Sequence, residues 1–187
     1  MRKLSAIVLA GAMAILAPAF AFAAPAAGTV IGNQATATYN DAGGTSRTAT
    51  SNLVQTTVTQ VKTFTLTANG ARTAAPGQTV YYPHIITNTG NGTDSYTLNA
   101  PTSTSFGAGP HVSLAYYIDA NGDGVPDNAA PINTSGPIAA GGTFRFVVAG
   151  TVPAGAASGS SATIGVSVTD TIPSPTPTPI RRPSPTR

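Results

Sequence analysis

Thr79-Val-Tyr-Tyr-Pro-His-Ile-Ile-Thr87 is the stretch on which the fold turns. Val80, Tyr82, His84 and Ile86 occupy alternate positions, and Tyr81 and Ile85 fall between them. Side chains of a strand point by turns to opposite faces, so a run rich in β-branched and aromatic residues with this alternation predicts a two-faced β-strand. Pro76-Gly77 opens it and a loop from Asn88 to Asp94 closes it. Downstream, the same period predicts strands at Ser95–Leu98, at Ser113–Asp119, at Thr143–Val152 with Phe144, Phe146 and Val148 on one face, and at Ile164, Val166 and Val168. Upstream, one long strand is expected from Leu53 through Val58 and Val61 to Phe64 and Leu66, ending at Asn69-Gly70. Before it, Gln34–Tyr39 and Arg47–Ser51 flank Asp41-Ala-Gly-Gly44, which reads as a hairpin whose glycines take positive φ.

The composition agrees. The chain has no Glu and is rich in Thr, Val, Ala, Gly and Asn, which leaves few of the residues that favour exposed helix faces. No helix of consequence is expected beyond residue 23. Short strands parted by regular turns predict an all-β chain, an immunoglobulin-like β-sandwich. The expected organisation is a signal segment at 1–23, an N-terminal hairpin and lead-in strand at 24–61, the sandwich at 62–172, and a disordered tail at 173–187. That tail is Pro, Ser, Thr and Arg and cannot bury a core.

Arg2 and Lys3 precede an apolar run from Leu4 to Phe20 that ends in Ala21-Phe-Ala23, the layout of a secretory signal peptide with cleavage before Ala24. Cleavage leaves no transmembrane segment, and the export route leads to the cell surface or outer envelope, with the periplasm as the other stop. The chain has no cysteine, so neither disulfides nor a lipidated first residue contribute. The net charge of +3 sits at the ends. Between them Arg47, Lys62, Arg72 and Arg145 face Asp41, Asp94, Asp119, Asp123, Asp127 and Asp170, four cations against six anions. This is no footprint for nucleic acid.

Several segments resemble the bacterial DUF11, or conserved-repeat-domain, family of surface proteins. These are Ile31-Gly-Asn-Gln-Ala-Thr-Ala-Thr-Tyr39, Thr50-Ser-Asn-Leu-Val54, Ala75-Pro-Gly-Gln-Thr-Val-Tyr81, Thr87-Asn-Thr-Gly-Asn91 and Val152-Pro-Ala154. The resemblance covers most of residues 28–170 and implies a sandwich that acts as a spacer, adhesive stalk or wall-associated module. The chain departs from the family in carrying one copy and no Leu-Pro-x-Thr-Gly sorting signal.

Asp119-Ala-Asn-Gly-Asp-Gly-Val-Pro-Asp127 places oxygen-bearing side chains at positions one, three, five and nine of a calcium loop, with Gly124 at the sixth. The candidate Ca2+ ligands are Asp119, Asn121, Asp123, the Val125 carbonyl and Asp127. The loop resembles dockerin and thrombospondin type 3 loops, although Ala130 stands where an EF-hand has its bidentate Glu. The other reading is a turn whose aspartates bond their own backbone. Both stay open at this point.

The inventory for catalysis is thin: two histidines, no Cys, no Glu, and no Gly-x-Ser-x-Gly or Ser-x-x-Lys. The expectation is therefore no enzyme. The sequence predicts a secreted structural or adhesive module whose partners are cell-envelope or surface components and further copies of itself, through β-strand addition by the N-terminal hairpin. The alternative is a polysaccharide- or peptidoglycan-binding module using Tyr116 or Tyr117.

Overall fold

The structure is a computed structural model that describes residues 24–67 and 70–171. The expected signal segment, the Asn69 half of the expected Asn69-Gly70 turn and the expected tail lie outside the described residues. Within them the chain is all-β, with no helix. The strands are β1 (Val30–Asn33), β2 (Thr36–Asn40), β3 (Ser46–Thr50), β4 (Val54–Thr57), β5 (Phe64–Leu66), β6 (Thr79–Asn88), β7 (Asp94–Ser103), β8 (Val112–Ile118), β9 (Thr134–Ile138), β10 (Thr143–Thr151) and β11 (Ile164–Asp170). Two sheets, ordered β5-β6-β10-β8 and β11-β7-β9, supply the core in the manner of a β-sandwich, while β1 pairs with β4 and β2 with β3.

The alternation in β6 and β10 builds that core. Ile86, Tyr116, Phe146 and Val148 come from the four-stranded sheet and Tyr96, Leu98 and Ile138 from the other, none more than 5% exposed. Phe146 is the hub: its ring lies 5.5 Å from Tyr116, edge-on, and 5.5 Å from His84, stacked. Tyr96 meets Phe64 at 4.8 Å. Edge-on and offset rings are the favoured geometries, and with no disulfide in the chain these apolar contacts carry the fold.

Pro83 sits in mid-strand opposite Val147. Ile85 directs its backbone carbonyl and amide to Thr67, away from β10. Two residues earlier, Pro83 faces the same side, beyond the end of the three-residue β5, so its missing N–H removes no bond to β10.

Two expectations need correction. The long strand from Leu53 to Leu66 is broken into β4 and β5, which belong to different sheets, because residues 58–63 leave one and enter the other. Strand β9 is absent from the sequence reading, since its Thr-Ser-Gly-Pro-Ile contains Gly136 at φ 68° and Pro137. Both residues are tolerated because β9 is an edge strand that, among the described residues, pairs only with β7.

Strands β1 to β4 form one continuous antiparallel ribbon. Val30 opposes Thr57 in its lower part and Thr36 opposes Thr50 in its upper part, so the register slips by one residue between them. Two residues, Gln34 and Ala35, stand against three, Ser51 to Leu53, which is a β-bulge; the Ser51 amide still donates to the Ala35 carbonyl. At the tip, Asp41 takes the place of a core. Its carboxylate accepts from the Gly43 and Thr45 amides and from Arg47 Nε at 2.9–3.0 Å, and the Thr45 bond first, then Arg47, holds it below the usual carboxylate range. Every residue of the four ribbon strands is exposed. At ~3.3 Å per residue the ribbon is on the order of 40 Å long.

The β6–β7 turn fastens the ribbon to the sandwich. Asn88 is fully buried, and its Nδ2 donates to the carbonyls of Gly92 and Ile138 while Oδ1 accepts from the Gly90 amide. Asn91 grips both roots of the ribbon: Nδ2 donates to Pro25 O and Thr59 O, Oδ1 accepts from the Val61 amide at 2.7 Å, and its own carbonyl accepts from Ala27. A Cβ at Gly90 would run into the Val61 carbonyl oxygen, so only glycine allows this approach. Replacing Asn91 by Ala removes three side-chain bonds from the root and none from the core. Hydrogen exchange of Asn91→Ala should therefore speed up across residues 25–61, with a loss of about 1–2 kcal/mol in urea unfolding; unchanged exchange there would contradict this anchoring.

Candidate functional site

The aspartate loop follows β8 directly. Asp119 is 2% exposed, and its two oxygens accept from the amides of Gly122 and Gly124 at 3.0 and 3.1 Å. Asn121 Oδ1 accepts from the Asp123 amide, Asp123 Oδ1 from the Val125 amide, and Asp127 Oδ2 from the Ala120 amide at 2.6 Å. Asn121 Nδ2 also donates to Asp123 Oδ2. Gly124, at φ 84°, makes the sharp bend that the sixth position demands. The five predicted ligand positions thus share one tight loop in which each side-chain oxygen set is turned to the loop's own amides. Among the described residues no trio of His, Cys, Asp or Glu side chains is gathered to hold a metal ion.

The loop lies over the outer face of the four-stranded sheet. Val147 points away from the core, opposite to Phe146 and Val148, yet it is fully buried, which requires cover on that side. Val125 and Pro126 of the loop line an open groove of about 540 Å³ together with Tyr81, Tyr117, Ala149 and Ser113. Tyr116 instead is 2% exposed and donates its hydroxyl to the Asn99 carbonyl at 2.8 Å, so only Tyr117 of the pair remains for a surface role. Ser113 has φ 54°, the left-handed region that glycine normally fills, at the bulge where β8 slips against β10.

Both histidines are buried. Burial holds His84 below the usual imidazole range, opposed by a backbone hydrogen bond with Thr67, and holds His111 below it as well. His111 Nδ1 pairs with Ser103 Oγ at 2.8 Å and its ring stands edge-on to Phe106 at 4.7 Å. Among the described residues no ion pair joins either histidine to a carboxylate.

One cluster was not visible as a unit in the sequence. Lys62, just before β5, has a side chain only 7% exposed and stands between two aspartates. Its Nζ lies 3.1 Å from Oδ2 and 3.3 Å from Oδ1 of Asp170, at the end of β11, and 3.7 Å from Oδ1 of Asp94, at the start of β7. Asp94 is 1% exposed and its Oδ1 also accepts from the Ser95 amide. Asp94 Oδ2 and Tyr96 Oη are buried with no hydrogen-bond partner among the described residues. Burial raises the Tyr96 phenol above its ordinary range, and the Asp94 and Asp170 carboxylates push it the same way. The only sequence signal for this site is that Lys62 is the one lysine beyond residue 23, set two residues before the first core aromatic, Phe64.

Among the described residues no helix is long and apolar enough to cross a membrane. Compared with protein-family models, with curated proteins and with solved structures, the chain matches none.

Proposed function

We propose that the protein is a non-catalytic, secreted structural or adhesive module of the cell envelope or surface that self-associates through β-strand addition. The observation that carries this reading is the ribbon of β1 to β4, whose strands are exposed throughout and whose outer edges are unpaired among the described residues. A two-stranded ribbon is marginal in water, and unpaired edge amides and carbonyls template another strand. Val30, Ile31, Leu53 and Val54 are each more than half exposed near its lower half, so pairing there would also bury apolar surface. The complementary edge is β11, which among the described residues is bonded only to β7 and ends the three-stranded sheet. The occupant we assign to that edge is the ribbon of a second copy.

Taking β5, β6, β10 and β8 as strands A, B, E and D, the order of the four-stranded sheet matches that of a constant-type immunoglobulin sandwich, which supports the immunoglobulin-like assignment; the facing sheet departs from C-F-G, since β7, in the place of C, is its centre. The DUF11-like reading is supported by where its motifs fall: Ala75 to Tyr81 leads into β6, and Thr87-Asn-Thr-Gly-Asn91 is the turn that grips the ribbon. Secretion is supported by residues 1–23 alone.

In this reading Ca2+ stiffens the Asp119–Asp127 loop, using lone pairs left on Asp119, Asn121, Asp123 and Asp127 and the Val125 carbonyl. A groove flanked by Tyr81 and Tyr117 and edged by a left-handed Ser113 favours a second reading, stacking of a wall polysaccharide or peptidoglycan strand.

Light scattering of the full chain should give a weight-average mass that rises with concentration, and deletion of residues 28–58 should return a monomer; a monomer at every concentration would sink strand addition. Millimolar Ca2+ should raise the melting temperature of the wild type and not of Asp119→Ala, and no shift in the wild type rules the ion out. Retention on isolated peptidoglycan that is lost in Tyr81→Ala with Tyr117→Ala would move the assignment to the second reading.

A further inference from the structure

The Lys62, Asp94 and Asp170 cluster joins the segment that enters the sandwich to the strand that leaves it. We infer that Lys62 and Asp170 form an intramolecular isopeptide bond, made by the folded protein itself with Asp94 as the proton carrier. The inference stands apart from self-association and from calcium.

Both carboxylate oxygens of Asp170 lie within 3.1–3.3 Å of Lys62 Nζ, which sets the nitrogen close to the carbon between them. Reacting atoms held at about 3–3.5 Å form a near-attack arrangement, and holding them there replaces a collision that would otherwise cost translational and rotational entropy. The surroundings favour the reaction too. Lys62 and Asp94 are almost wholly enclosed, beside Tyr96 and its Phe64 contact. Enclosure also keeps bulk water from the amine and the carboxyl, which protects the amide once it has formed.

The step balances without any co-reactant. Asp94 accepts a proton from the Lys62 ammonium, and the freed amine attacks Cγ of Asp170. That proton and a second one from the attacking nitrogen, each carried by Asp94, pass to one Asp170 oxygen; the C–N bond forms as that C–O bond breaks, and the oxygen leaves as one water. Nothing is oxidised or reduced. Asp94 suits the proton's route because its Oδ2 is buried and has no hydrogen-bond partner among the described residues, while Oδ1 faces Nζ. Asp170 suits the electrophile because it is 27% exposed, which gives the water a way out, whereas Asp94 is enclosed.

The test is intact-mass spectrometry of the full chain after purification, compared with the mass calculated for its own termini. The expected result is a protein lighter by one water, in which trypsin fails to cut after Lys62 and fragmentation shows peptide 48–72 joined to peptide 146–181 through Lys62 and Asp170. Lys62→Arg and Asp170→Ala should each restore the full mass, and Asp94→Asn should fold with an unchanged circular dichroism spectrum yet keep the full mass. A wild-type protein that retains its full mass overturns the proposal. So does a lost water mapped to a succinimide at Asp123-Gly124, or a link from Lys62 to Asp94. Complete cross-linking in Asp94→Asn removes Asp94 from the mechanism.

Discussion

The turn from Asn88 to Asn91 is the constraint on which the rest of the molecule depends. It is short, polar and partly buried, and it has to satisfy its own backbone while two separate parts of the chain lean on it. Asn88 does this from within by supplying an amide donor to the Ile138 carbonyl, thereby tying the end of β6 to β9. Asn91 does it from outside, binding both roots of the ribbon. Buried backbone groups must be paired, and asparagine can donate and accept from one side chain. Neither an acid nor an aliphatic residue could serve both carbonyls and amides at these positions.

The core and the ribbon follow different physics. In the sandwich, aromatic and β-branched side chains from two sheets enclose one another, and Phe146 touches rings on both sides. In the ribbon there is nothing to enclose. Its order comes from the pairing ladder, from the Asp41 carboxylate that closes the tip, and from the clamp at its root. An extension held in this way keeps its edges accessible, which is what strand addition requires and what a fully packed hairpin would forbid.

Much of the core was legible because period-two alternation is a direct readout of a strand with one buried face. The face carrying Val80, Tyr82, His84 and Ile86 is the face turned to the core, and Phe146 with Val148 completes it. The sequence was less informative where local chemistry defers to tertiary context. Strand β9 carries Gly136 and Pro137, residues that argue against a strand until one knows it lies at an edge. The break between β4 and β5 was hidden because Val58 and Val61 continue the apolar pattern across a change of sheet. The aspartate loop was legible as a loop with Gly124 at its bend, and its amide-to-carboxylate bonds were one of the two patterns its residues allow. The lysine cluster was not legible, since residues 62, 94 and 170 are joined only by the topology.

That junction also fixes how the molecule would respond to being pulled. The ribbon departs from the sandwich beside Lys62, and the chain continues beyond the described residues just after Asp170, so the two exits meet at one contact. Tension applied between the ribbon and the C-terminal segment would run through this pair rather than through the ladders of either sheet. Peeling β11 from β7 or β5 from β6 would first require that contact to part. The sandwich would then behave as a sheltered bystander to the load, and the mechanical strength of the molecule would be set at this crossing and at the Asn91 clamp on the ribbon's roots.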